Sequence, residues 1–231
     1  MRLYVIRHGD PDYANDSLTE QGRTEAAALA KYLKHERIGE IFSSPLGRAR
    51  RTAEYTAALT GLPAGIEDWT RELKLPTIYG GKFAAWNICG EEARSDIYLS
   101  NPADLSSLAT LPLKEIEELV RKLRSDSDAF LERHGYVREG NAYRVARRNT
   151  KRIAIFCHGG FGPAWISQLL SIPLPLMWTG FFMHTTSVSV IVFDERNPGI
   201  AVPRCLMFGA LPHLYAEGIE PSQAGVPGSY E

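Results

Sequence analysis

Two short apolar stretches of this chain break off at a histidine followed by glycine. Residues 3–6 run into Arg7, His8 and Gly9, and residues 153–157 run into His158, Gly159 and Gly160. A short continuous apolar run reads as a strand buried on both faces. In open α/β sheets ligands bind outside the carboxyl ends of the strands, so both histidines fall where chemistry is done. Imidazole titrates near neutrality, the guanidinium of Arg7 is a permanent cation, and the glycines let backbone amides approach an anion. Arg48, in "SSPLGRARRTA", adds a second guanidinium near the start of a helix whose amides favour negative charge. Arg50 and Arg51 compete with it, the alternative being a solvated helix face. Two arginines, two histidines and a helix start describe a pocket for a phosphate dianion, whose oxygens the planar guanidinium holds in pairs. His8, Asp10 and Asp12 also form an H-x-D-x-D run with His158 available, the makings of a metallohydrolase. Arg7 and Arg48 crowding a cation weigh against that reading.

The elements that must carry these groups are legible in outline. "SLTEQGRTEAAALAKYLKHERIG" predicts a helix with Thr19 as N-cap and Gly39 as stop, and Ala26, Leu29, Ala30 and Leu33 at helical spacing. "EIF" predicts a second short strand. The following helix has Ser44 as cap, Pro45 at its first position and Gly61 at its end. Residues 62–112 carry mixed signals and are read as an irregular excursion shaping one wall of a site, in which Tyr79, Phe83 and Trp86 either line the substrate or pack in the core. Ile116, Val120 and Leu123 mark a long amphipathic helix, and "YVREGNAYRV" alternates about a Gly-Asn turn as a hairpin. After a helix carrying Trp165 and Leu169 come two late strands, with Pro203 placing the second near an edge. The tail from about residue 216 to 231 lacks apolar periodicity and is expected to lie loosely on the surface. No internal repeat or linker divides the chain, so 1–231 reads as one α/β domain.

Composition sets the outer bounds. The 231 residues suffice for a sizeable core, and 44% hydrophobic with 23% charged is ordinary globular composition. A formal net charge of −1 provides no basic field for nucleic acid or an anionic membrane. The cluster Arg144, Arg147, Arg148, Lys151 and Arg152 reads as solvated hairpin and strand entry, or else as a docking patch. The three cysteines, Cys89, Cys157 and Cys205, are widely spaced and suit reduced thiols, with Cys157 as inert core. No apolar run is long enough to span a membrane and no signal-like start is present. A cytoplasmic protein is the expectation.

The order of "RHG" at 7–9, "LTEQGR" at 18–23, "SSPLGRARRTA" at 43–53, "FCHGG" at 156–160 and "PHL" at 212–214 resembles the histidine phosphatase superfamily, in its phosphoglycerate-mutase-like branch. The resemblance extends from Met1 to about Leu214. It implies a three-layer α/β/α sandwich around a mostly parallel central sheet. It further implies a metal-independent phosphomonoester hydrolase with no cofactor, acting on a small phosphorylated substrate. His8 would attack phosphorus to give a phosphohistidine, while Arg7, Arg48, His158 and the Gly159 backbone hold the phosphoryl oxygens. Glu72, in "DWTREL", matches the family's acid, which protonates the leaving alcohol and then activates water.

The chain also departs from the family pattern. A glycine soon after the acid is delayed in "ELKLPTIYGG", which leaves Glu67, Asp68, Glu91 and Glu92 as alternatives to Glu72. "RHGDPDYAN" puts Asp10 at an acidic position and Asn15 one place late, and no "ERHYG" run is present, which counts against a mutase. A phosphoglycerate-type mutase and a phospho-ligand binding module with little turnover stand as the competing readings. His213 reads as packing or support rather than catalysis, and His184 has no motif behind it.

Overall fold

The computed structural model describes residues 1–226. In chain order the elements are β1 (Arg2–Arg7), β2 (Pro11–Asp12), β3 (Ser17–Leu18), α1 (Glu20–His35), β4 (Glu40–Ser43), α2 (Gly47–Thr60) and β5 (Ala64–Ile66). After an irregular stretch with four single-turn 3-10 helices and α3 (Asp96–Ser100) come α4 (Leu113–Arg133), β6 (Tyr136–Glu139), β7 (Ala142–Val145) and β8 (Arg152–Cys157). The chain continues through α5 (Phe161–Leu170), α6 (Leu174–Gly180), β9 (Val188–Asp194), β10 (Ile200–Ala210) and α7 (Pro212–Glu217).

One sheet has the order β5-β4-β8-β1-β9-β10-β7-β6. β5, β4, β8 and β1 pair in parallel, and every later neighbour pairs antiparallel. Followed strand by strand, only β9 and β7 run against the other six, so the sheet is mostly parallel as expected. Successive residues of β1 point to opposite faces. Tyr4 and Ile6 join Leu29, Leu33 and Ala53 beneath α1 and α2. Leu3 and Val5 join Phe130, Trp165 and Leu169 beneath α4 and α5. Two helical layers thus bury the two faces of one sheet. Trp165, fully buried, donates Nε1–H to Ser127 Oγ at 2.8 Å, and truncating it to alanine is worth about 3–5 kcal/mol of stability.

Local signals explain most element ends. Thr19 caps α1 by accepting the Gly22 N–H, and Gly61 closes α2 with φ 74°. α1 itself stops at His35, short of Gly39, whose N–H reaches instead to the Arg152 carbonyl. The hairpin β6–β7 turns at Gly140 and Asn141. β7 covers only Ile200 and Ala201 of β10, so Pro203 sits where that strand is locally an edge. In the basic cluster at 144–152, Arg144 pairs with Glu139, Arg148 with Glu195, Lys151 with Glu40 and Arg152 with Glu36, while Arg147 donates to the Arg133 carbonyl.

The tail departs from expectation. Its first part is tied down rather than loose: Ser222 is buried, its N–H donates to Glu25 Oε1 at 3.2 Å and its hydroxyl donates to Asp10. The anchoring is by single hydrogen bonds to buried carboxylates, which leave no periodic trace. Residues 227–231 lie outside the described residues.

Candidate functional site

Register brings the site together. Arg7 of β1 lies opposite Cys157 of β8, and Ser43 of β4 lies opposite Phe156. The next residues, His8, His158 and Ser44, therefore emerge side by side at the carboxyl edge, with the two imidazole centroids 5.2 Å apart.

His8 is buried, and its Nδ1 stands 2.8 Å from the Gly9 carbonyl. A carbonyl only accepts, so the proton sits on Nδ1 and Nε2 carries a lone pair. Arg48 Nε–H points at that Nε2 from 3.3 Å. Burial, and then the Arg7 cation, hold the His8 pKa well below 6.5. The ring is neutral at physiological pH. His158 is likewise buried and neutral, through burial and then the neighbouring His8, Arg48 and Arg7. Its Nε2 meets Ser44 Oγ at 2.8 Å, while its Nδ1 has no protein partner. Ser44, expected as the cap of α2, serves this histidine instead.

The two guanidiniums are held from outside. Arg7, also buried, donates to the Met183 carbonyl at 2.7 Å and the Ala224 carbonyl at 3.0 Å, and its Nε has no partner. Its side chain packs against Gly159, where an added Cβ would come 3.2 Å from Arg7 Nε. Arg48 Nη1 donates to Asp16 Oδ1 at 2.8 Å, and Asp16 Oδ2 accepts the Gly47 N–H at 2.6 Å. Asp16 is therefore both the anchor of Arg48 and the N-terminal cap of α2. Tyr13 lies over the same guanidinium, 5.5 Å from ring centroid to Cζ.

Glu72 faces the start of α5. Its Oε1 accepts the Phe161 N–H at 2.8 Å and the Leu73 N–H at 3.0 Å, and its Oε2 accepts the Gly160 N–H at 3.1 Å. Burial raises its pKa above 4.5, against the opposing pull of those amides and of Arg7. Any side chain at Gly160 would collide with both Glu72 and Trp86, since its Cβ would lie 2.9 Å from Glu72 Oε1 and 2.7 Å from Trp86 Cδ2. Arg7, His8, Glu72 and Gly159 open onto one cavity of about 630 Å³. Among the described residues, Glu72 is the only carboxylate lining it and Arg7 the only lysine or arginine.

The structure thus brings Arg7, His8, Arg48, Glu72, His158 and Gly159 together. Of the rivals of Glu72, Glu67 accepts from Trp69 and Arg133, Asp68 from Arg71, and Glu92 from Tyr79 and Thr110, while Glu91 is exposed and outside the cavity lining. Asp12 and Asn15 bond each other at the exposed surface, at 2.7 Å, so Asn15 takes no part in the pocket. Asp10 accepts from Thr19 at 2.6 Å and from Ser222, so the H-x-D-x-D run turns its carboxylates away from His8. Tyr79, Phe83 and Trp86 all line the cavity, and Trp86 also packs on the core. Sequence reasoning missed Asp16, Tyr13 and the carbonyls of Met183 and Ala224, each of which reaches an arginine across a long stretch of chain. None of them left a signal in the sequence, where Ser44 already reads as the cap of α2.

The fold and this cluster of neutral imidazoles and fixed cations define an α/β enzyme built to handle phosphate. The family model described as histidine phosphatase superfamily (branch 1) matches residues 3–204, and the chain belongs to that superfamily, whose members here are phosphatases and mutases. A putative phosphoserine phosphatase 2 of Hydrogenobacter thermophilus is 28% identical over 190 residues, 77% of this chain and 82% of that one. A probable phosphoglycerate mutase of Photorhabdus laumondii is 34% identical over 84 residues, 32% of this chain and 39% of that one. The fold is shared with the phosphoserine phosphatase of Entamoeba histolytica, solved with 3-phosphoglyceric acid, at TM-score 0.64 and 20% identity over 92% of this chain and 98% of that one. A mycobacterial glucosyl-3-phosphoglycerate phosphatase, solved with VO3, superposes at TM-score 0.58 with 20% identity, covering 90% of this chain and 98% of that one.

Proposed function

We propose that the chain hydrolyses phosphomonoesters without a metal, through a phosphohistidine at His8. The observation that carries this reading is the His8 Nδ1–H···O=C bond to Gly9, which leaves Nε2 with a lone pair, met by Arg48 Nε–H, on a ring that lines the cavity. In the first step Nε2 attacks phosphorus in line and the P–O bond to the alcohol breaks. Glu72 gives its proton to the departing oxygen. In the second step the Glu72 carboxylate takes a proton from water as that oxygen attacks phosphorus, and the P–Nε2 bond breaks to release inorganic phosphate. Arg7, Arg48 and His158 donate to the equatorial oxygens, where charge is held in the transition state. The Gly159 backbone borders the same oxygens.

A mutase must also hold a second anionic group on the transferred molecule. The lack of any lysine or arginine besides Arg7 in the cavity lining, among the described residues, favours the hydrolase. The free thiols of Cys89, Cys157 and Cys205 suit a reducing compartment such as the cytoplasm, and no helix among the described residues is long and apolar enough to cross a membrane. A panel of phosphomonoesters assayed for phosphate release, in chelator and with His8→Ala as blank, tests the reading. Release that survives EDTA and vanishes in His8→Ala is expected. Phosphate moved between organic acceptors without release would favour the mutase, and binding without turnover the regulatory module.

A further inference from the structure

The cavity beyond the phosphate clamp has an unusual lining for an enzyme of small phosphorylated acids. Its mouth is ringed by aromatic side chains that the core does not use. Tyr13 is 67% exposed, Phe83 49%, Phe181 43% and Tyr79 36%, and none of the four belongs to the two buried clusters. Tyr79 and Phe83 pack edge to face with centroids 6.1 Å apart, which holds a ring upright without burying it. Deeper in, Trp86, Trp178 and Met183 complete the wall. A contiguous apolar rim of this kind on a soluble protein marks a place where something apolar binds.

The charges agree with the shape. Past Arg7 the lining has no cation to meet a second anion, and its one carboxylate, Glu72, would repel one. Arg94 is exposed and not among the lining residues, its guanidinium on the carbonyls of Gly90 and Thr179 at 3.5 and 3.4 Å. A substrate carboxylate placed here would lose its water and meet no cation of the lining past Arg7. A flat uncharged ring would exchange water for aromatic faces on both sides.

We infer, building on the hydrolase reading, that the substrate is the phosphate ester of an uncharged alcohol bearing an aromatic or similarly flat apolar group, held by Tyr79, Phe83 and Trp86. The excursion at 75–90 is then the specificity element, and phosphoserine and 3-phosphoglycerate are poor substrates.

The test compares 2-naphthylmethyl phosphate with phosphoserine and 3-phosphoglycerate, all three being esters of alcohols that are similarly poor leaving groups. We expect kcat/KM for the naphthylmethyl ester to exceed the others by roughly 10- to 100-fold, the scale on which pocket contacts discriminate. Phe83→Ala, at an exposed position that does not threaten the fold, shrinks that ratio several-fold. Phe83→Arg shrinks it further by raising turnover of 3-phosphoglycerate. Equal or better turnover of the carboxylated esters overturns the substrate assignment while leaving the hydrolase intact. An unaltered ratio in both Phe83 variants overturns the role of the wall. Absence of phosphate release from all three and from a wider ester panel sinks the hydrolase reading itself, and this inference with it.

Discussion

Asp16 grips Arg48 with one carboxylate oxygen, at 2.8 Å, and the first amide of α2 with the other, at 2.6 Å. One residue on a surface loop therefore fixes both the clamp and the helix from which the clamp projects. Asp16→Ala should lower kcat/KM about tenfold and cost about 1 kcal/mol of stability, the usual worth of a helix cap. Asp16→Asn keeps an acceptor for the Gly47 amide without the charge. It should melt close to the parent yet retain the catalytic loss. Parallel melting curves and phosphate-release kinetics separate the two effects, and parental activity in both variants would remove Asp16 from the site.

Glu72 should reveal itself through the leaving group. Its carboxyl must be protonated to assist a poor leaving group, and burial keeps its pKa above 4.5. With an alkyl phosphate, kcat/KM should fall as pH rises through that pKa. On the acid side it should fall only as pH drops through the His8 pKa, which lies well below 6.5. Glu72→Gln should reduce kcat on alkyl phosphates by roughly 10²- to 10⁴-fold. On 4-nitrophenyl phosphate, whose phenolate leaves unaided, the loss should be much smaller. A uniform loss across both esters would refute the assignment.

Ser44 tests how the second histidine is set. If its hydroxyl donates to His158 Nε2, at 2.8 Å, the imidazole proton is forced onto the unpartnered Nδ1, ready for a phosphoryl oxygen. Ser44→Ala then frees the tautomer, and kcat should drop about tenfold with KM little altered. Ser44→Thr should restore most of it. The nitrogen chemical shifts of His158 report the tautomer directly, and a parent ring protonated at Nε2 would contradict the account.

The strand ends of this site were legible because a continuous apolar run and an abrupt imidazole leave a one-dimensional trace. Arg7, His8 and His158 gained weight from one another as two matching strand ends, and Arg48 needed the family motif as well, since Arg50 and Arg51 share its helix. Glu72 was less visible because it sits in irregular chain and is recognisable by what it faces, the amides of Gly160 and Phe161, nearly ninety residues away. Asp16, Tyr13 and Ala224 were invisible for the same reason: each acts through one or two long-range polar contacts, which have no period. Ser44 was read as a helix cap because serine before proline fits one, and its partner lies on another strand.

Acid should destabilise the protein through His213. Its ring is buried against Thr186, and burial lowers its pKa to about 4. Since the folded pKa lies below the unfolded value of 6.5, the unfolded chain takes up the extra proton between pH 6.5 and about 4. Stability is full above pH 6.5 and is lost as pH falls across that window. His213 alone should cost about 2 kcal/mol at pH 5. Urea titrations at pH 7 and pH 5 should show His213→Gln losing that much less than the parent. An identical loss in the variant would place the sensitivity in the other histidines whose pKa burial lowers, His8, His134, His158 and His184.

The bond from Arg7 to the Ala224 carbonyl spans 217 positions of chain. Proteins leave the ribosome from the N-terminus and fold as they emerge, so the brace on Arg7 is made 217 positions after Arg7 itself. A nascent chain can assemble the sheet, both histidines and even the Met183 contact while Arg7 is still half tethered. The site is in this sense completed only once Ala224 has emerged, and turnover reports that the chain has been made at least that far.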